Sequence, residues 1–486
     1  MRTSPSLVWR AMLAVGLTAG FYLLALGIAG GLLYIPYAEW VYTHRLHGRL
    51  ALSCLIGAGV ILWSIVPRPD RFIPPGPRIT PGEQPRLYAE LRKVAEALGQ
   101  PMPDEVYLTP EANAWVARRG GFMGFGSRRV MGLGLLYMQI LTVLQFRAVV
   151  AHEFGHYVGG DVTLGPWIYR TREAIERTVG ALAENNSILH KPFLWYGRLF
   201  LRITHAIARR QELAADVLAA RVAGANAAIS LWDPVRRAAT AIEHYWREEV
   251  APALQAGFRP PYAAGFAAYL DAPRMVENIA QSLAKETDET TPYDTHPPLR
   301  ERIAAVQYLS PGPAVTHDPP AVTLLADLPG LEGRLFAAMG EWGRNLTPIG
   351  WEETAAQVYL PQWRELVREH AMALSGLTPE ELPAVAKDLA GLGRRMRGDI
   401  PEERAKVHAI RVLGAALTLA LLNRGATLHT GPGEPITLRL GGREDDPIRM
   451  VDRLAEGGIT AEEWRRRCAE EGIEGIDLGK VAGGQI

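Results

Sequence analysis

Two long runs without charge open the chain. Residues Ala11 to Ile35 are rich in Leu, Ala, Gly and aromatic side chains, and as a helix they are long enough to cross a hydrocarbon core of about 30 Å. The run from Leu50 to Val66 is shorter and stops at Pro67, close to the lower limit of about 17 residues for a span. The pair predicts a transmembrane helical hairpin within residues 1–72. Its first arm exceeds the apolar region of a cleaved signal peptide, about 7–15 residues, and no A-x-A site follows it. Arg2 and Arg10 precede the hairpin and Arg68, Arg71 and Arg78 follow it, whereas the connecting loop sets Arg45 and Arg49 against Glu39. That balance favours both outer ends in the cytoplasm.

Beyond the Pro-rich joint Pro67 to Pro85 the pattern changes. Leu87, Leu91, Val94, Ala95 and Leu98 recur at helical spacing until Gly99, which predicts a helix with one packed face. Val106 to Leu108 and Arg129 to Leu135 read as short strands around a glycine-rich loop, Gly120 to Gly126. Leu136 to Tyr157 reads as one helix closed by Gly159-Gly160, and Phe193 to Val222 as another. Lys191, Arg198 and Arg202 interrupt Ile188 to Ile207, so that stretch predicts an amphipathic helix and not a span.

Prolines at Pro311, Pro313, Pro319 and Pro320 mark a further joint. The region after it looks helical, with a start at Thr378-Pro379-Glu380-Glu381 and a last helix opened by Thr460-Ala461-Glu462-Glu463. Val412 to Leu422 is apolar on all sides but too short to span, which marks a core helix. Pro435 to Leu440 reads as a strand leading to Gly441-Gly442. The fold class is therefore mainly α with a small β-sheet, organised as residues 1–72, 73–309 and 321–486.

Composition narrows the chemistry. Net charge is zero and charged residues make up 21%, so no basic surface points to nucleic acid. Cys54 and Cys468 are the only cysteines, which excludes a disulfide framework and a cysteine-rich metal site. A metal would be held by histidine and carboxylate.

Ala151-His152-Glu153-Phe154-Gly155-His156 offers such a set. Two imidazoles one helical turn apart share a face, and a carboxylate beside the first sits next to whatever they hold. That geometry suits a catalytic zinc ion, one per chain, which takes three protein ligands. The candidate third ligand is Glu212, with Asp216 one turn later on the same face, where it could accept the outer N–H of a ligand histidine and fix its tautomer. The bland alternative, a solvated acidic stripe, is the usual fate of Glu and Asp; the histidine motif upstream outweighs it. With Glu153 as the base, the reaction implied is peptide hydrolysis.

These residues, with others in order, resemble the zinc metallopeptidase family that includes the HtpX heat-shock protease and the CAAX prenyl endoproteases, a group of membrane-anchored gluzincins. Asn113-Ala114-Trp115 is similar to its N-A-aromatic element, and Val130 to Leu136, with Gly132, to its edge strand. His152 to His156 with Asp161 resembles its extended HExGH motif, and Glu212 with Asp216 its ExxAD helix. Thr295-His296-Pro297 followed by Arg302-Ile303 resembles its downstream element. The resemblance implies a zincin-type domain in which an extended polypeptide substrate pairs with the edge strand near Val130 to Leu135, beside Asn113. His296, in a turn fixed by Pro297 and Pro298, would either stabilise an oxyanion, occupy the open metal position or pack as a buried structural histidine.

The function expected is a membrane-anchored zinc endopeptidase of membrane or misfolded protein quality control or processing. Its partners would be the lipid bilayer and polypeptide substrates, with a possible protein partner for the C-terminal region, and its place a prokaryotic cytoplasmic membrane with the catalytic domain in the cytoplasm. The competing reading is a non-enzymatic membrane adaptor on a zinc-binding scaffold; an intact Glu153 argues against it, because a scaffold needs the histidines but not the base.

Overall fold

The two apolar runs form helices α1 (Pro5–Thr43) and α2 (Gly48–Ile65), joined by a short turn into a hairpin. A computed structural model describes residues 5–68, 70–121, 126–158, 161–184, 188–285 and 296–483. At 39 residues α1 runs on well past the predicted span; at 1.5 Å per residue it measures about 58 Å, so only part of it can lie in hydrocarbon. Among the described residues, three helices are long and apolar enough to cross a membrane by length and composition, and this suggests an integral membrane protein. Two of them are the arms of this hairpin, with 28% and 33% of their apolar windows buried in the protein.

The third, Glu402–Asn423, is 78% buried. It forms the core of a compact unit made of Ala239–Ala284 and Gly340–Ile486, packed among Val367, Leu374, Leu389, Val451 and Trp464. The unit is mostly helical, with a three-stranded antiparallel sheet, Thr427–His429, Thr437–Leu440 and Arg443–Asp445. The expected strand after Pro435 is the middle one. Reciprocal caps form at both predicted starts, Thr378 with Glu381 and Thr460 with Glu463, although the first opens only a short 3-10 turn.

The other compact unit runs to Ala238 and includes Lys285–Met339. Its sheet comprises β1 (Arg78–Ile79), β2 (Glu105–Thr109), β3 (Ala114–Arg119) and β4 (Arg128–Gly134), in the order β1-β2-β4-β3, with helix α3 (Pro85–Ala97) between the first two in sequence. This corrects one expectation. The strand of Val130 and Gly132 is interior, parallel to β2 and antiparallel to β3, so its backbone groups are already paired. Val130, Met131 and Leu133 are buried, as suits a strand covered on both faces, and the sheet's edges are β1 and β3, with β3 the one beside β4. Trp115 lies opposite Gly132, where a Cβ would come within 2.4 Å of its indole. These two residues pack on each other.

The long helix expected from Leu136 to Tyr157 is two helices, α4 (Leu135–Ile140) and α5 (Val143–Val158). Thr142 breaks it by a reciprocal cap: its N–H donates to Gln145 Oε1 at 3.0 Å, and its hydroxyl accepts from the Gln145 N–H at 3.3 Å. Val143 and Leu144 donate to the Pro319 carbonyl and the Asp318 carboxylate, so the chain after the proline joint docks onto this break. Helix α6 (Asp161–Glu184) and the long α7 (His190–Ala223) follow. Gly159-Gly160 and the tip of the Gly120 to Gly126 loop lie outside the described residues. Phe193 and Phe200 of α7, with Ala174 and Ile175 of α6, bury against Phe21, Ala25, Ala58 and Ile61 of the hairpin. Lys191, Arg198 and Arg202 stay exposed, so α7 is amphipathic as expected.

Replacing Thr142 with Ala removes one half of the cap at the helix break and should cost about 1 kcal/mol. Thermal unfolding in detergent should show a melting temperature lower by about 2–4 °C; an unchanged transition would contradict the role given to the cap.

Candidate metal centre

The histidines sit on α5 because its buried face, Ala151 and Phe154 among others, orients the helix and leaves His152, Glu153 and His156 half-buried on the other side. Gly155 lets α7 come close: a Cβ there would lie 3.1 Å from the Ala215 Cα. Ala215 stands between Glu212 and Asp216, so this close approach presents both carboxylates to the histidines. Donor atoms of His152, Glu153 and His156 lie within 4.8 Å of one another.

Glu212 completes the set. His152 Nε2 lies 3.4 Å from its Oε2, and His156 Nε2 lies 3.6 Å from its Oε1. In a tetrahedral site with bonds of about 2.0–2.2 Å, neighbouring ligand atoms stand about 3.3–3.6 Å apart. Glu212 is buried and its Oε2 accepts no hydrogen bond of sound geometry, although His296 Nδ1 is 3.1 Å away and Arg302 Nη2 3.3 Å. Two imidazoles and a buried, under-satisfied carboxylate at those spacings fit a zinc ion.

Behind His152 stands a charge network. Its Nδ1 meets Asp216 Oδ1 at 3.0 Å, which leaves Nε2 facing the site. Arg302, on the helix Leu299–Val306, grips Asp216 with two bonds, Nε to Oδ2 at 2.7 Å and Nη2 to Oδ1 at 2.6 Å. Its guanidinium lies over the Trp232 ring at 4.2 Å. Burial disfavours the charged form of His152, but Asp216 and Glu212 outweigh it and push its pKa up to about 9 in the metal-free protein. For Glu212 burial is again the largest effect and the neighbouring cations overcome it, holding it well below the usual carboxylate range. Asp216 is likewise lowered against its burial, by Arg302 and His152.

Glu153 behaves differently. Burial raises its pKa above the ordinary value, against the pull of His152 and His156 and of the Val116 main-chain N–H, which hydrogen bonds to it. A carboxylate so placed has a strengthened hold on a proton. Tyr137, on α4, is pushed up to about 12 by burial and by the Glu153 charge, so its hydroxyl stays a donor in neutral solution.

A cavity of about 380 Å³ opens on these groups. His152, Glu153, Glu212 and His296 line its polar end, and Val149, Ala219, Ala228, Leu231, Trp232 and Val235 its apolar wall. Asn113 and Ala114 also line it, whereas Trp115, Val130 and Gly132 do not. The His296 side chain is 66% exposed, which excludes a buried packing role. Thr295 and the side chain of Asp161 lie outside the described residues. Sequence reading placed Arg302 in the downstream element with His296, and Trp232 in an insert between Glu212 and His296 that could cap the cleft or simply pack, but gave neither their contact with each other nor that of Arg302 with Asp216. Tyr137 it missed, for want of any signal without the fold.

Residues 81–310 match the family described as Peptidase family M48, which includes the HtpX and CAAX proteases. That segment is an M48 zinc metallopeptidase domain with a candidate HExxH zinc site. No curated protein and no solved structure matches the chain.

Changing Asp216 to Ala should weaken zinc binding about 10–100-fold, since it frees the ring of His152 and its tautomer. Glu212→Ala should lower the zinc content of the purified protein. Competition against a metal chelator and elemental analysis measure the two, and unchanged values would remove these residues from the metal centre.

Proposed function

We propose that the chain is a membrane-anchored zinc endopeptidase that hydrolyses unfolded or membrane-protein substrates in quality control or processing. The spacing of His152, His156 and Glu212, with Glu153 beside them, is the observation that carries this reading.

His152, His156 and Glu212 would hold the metal. Bound there, zinc supplies a Lewis acid for a peptide carbonyl and lowers the pKa of a water towards about 7. Glu153, the carboxylate whose affinity for protons is raised by burial, would be the group that takes a proton from the attacking water and delivers it to the leaving amine. Tyr137 and the exposed His296 stand at the cavity as donors for the carbonyl oxygen. The apolar wall around Leu231 and Val235 excludes water from one side.

An extended substrate would pair with β3, not β4. Asn113 turns its carbonyl inward to the Gly134 N–H, and odd-numbered residues along β3 follow it. The even-numbered Ala114, Val116 and Arg118 therefore present their main-chain groups outward, as the contact of the Val116 N–H with Glu153 agrees. Main-chain pairing of this kind binds many sequences, which suits a quality-control enzyme.

Glu153→Gln keeps the ligands and removes the base. It should retain zinc while cleavage of casein falls by about 10²–10⁴-fold. Zinc analysis and peptide release from one preparation test this, and full turnover with bound zinc would sink the assignment.

A further inference from the structure

The linker that leaves the membrane hairpin is fastened to the far end of the strand that would bind substrate. Asp70 accepts from Arg119 Nε at 2.9 Å, from Arg119 Nη2 at 3.2 Å and from the Gly120 N–H at 2.7 Å, and its own N–H donates to the Gly121 carbonyl at 3.0 Å. Arg170 of α6 lies 3.7 Å from the same carboxylate. Further along α6, Arg177 donates to the Ser64 carbonyl in the last turn of α2, so the helix that touches the clasp also touches the end of the hairpin. Trp63, 71% exposed, and Arg68 beyond it mark where α2 leaves hydrocarbon. One end of β3 is thus tied to the membrane exit. Its other end, Asn113 to Val116, lies at the metal centre.

We propose that this arrangement is a ruler, and that the substrates are polypeptides held in the bilayer and cut in the extended segment just outside it. The inference rests on the peptidase reading and on pairing at β3. From Arg119 back to the metal centre is three to six residues of strand, about 10–20 Å. Val66 and Asp70 are four positions apart, at most about 14 Å. A segment leaving the bilayer beside α2 and lying along β3 therefore reaches Glu153 within about ten extended residues. A segment shorter than the three residues of strand between Arg119 and Val116 cannot reach. One longer than about ten must loop, and its effective concentration at the site falls roughly as the −3/2 power of its length.

The test uses the full-length protein in phospholipid vesicles with single-span substrate proteins carrying one cleavable segment about 2, about 8 or about 32 residues from the span. Casein is cleaved in parallel. The expected profile is a maximum at the middle distance, no cut at the shortest and about eightfold slower cleavage at the longest, with cut positions read by mass spectrometry. Asp70→Ala should flatten that profile without abolishing casein cleavage. Equal rates at all distances, fastest cleavage next to the span, or an unchanged profile in a casein-active Asp70→Ala protein would overturn the ruler. If Asp70→Ala fails to fold, the wild-type profile decides. Loss of casein cleavage by the wild type would instead overturn the peptidase reading itself.

Discussion

Two carboxylates buried one turn apart on α7 carry a charge that the interior must answer, and Arg302 answers it. An unpaired buried charge costs several kcal/mol, so the bidentate grip on Asp216 ties the helix Leu299–Val306 to α7. The same guanidinium leans on Trp232 and approaches Glu212. Asp216 in turn sets the tautomer of His152. Metal affinity, ligand orientation and the docking of a downstream helix are therefore one interaction viewed from three sides, and no member can be removed without stranding a charge.

Much of this was legible in the chain because it is written in local periodicity. The imidazole pair, the carboxylates one turn apart and the apolar hairpin all follow from helical spacing, and the folded chain brings His152, His156, Glu212 and Asp216 together. The sheet was less legible. Which strand lies at an edge depends on pairing between distant segments, and β4 passes inside because its parallel partner β2 lies on its other side. Its apolar run fits an interior strand, a signal that the likeness to an edge element masked. The break at Thr142 was present as a Thr-x-x-Gln pattern, hidden in an otherwise helical stretch.

The apolar hairpin is built into the domain that carries the site. Its arms bury against α6 and α7, the latter carrying Glu212 and Asp216 at its far end, and its exit is clasped to β3. A long helix and a short strand thus connect the hairpin to the candidate metal centre by separate routes. The proposed substrate mode would use that coupling, with main-chain pairing and an apolar wall in place of sequence recognition.

His152, His156 and Glu212 would hold zinc with a position left open. X-ray absorption at the zinc edge of the purified, zinc-loaded protein tests it directly. Two imidazole nitrogens and carboxylate oxygen are expected at about 2.0–2.2 Å with one further light atom, and one imidazole should be lost in His156→Ala. A coordination shell unchanged by that substitution, or one without imidazole, would contradict it.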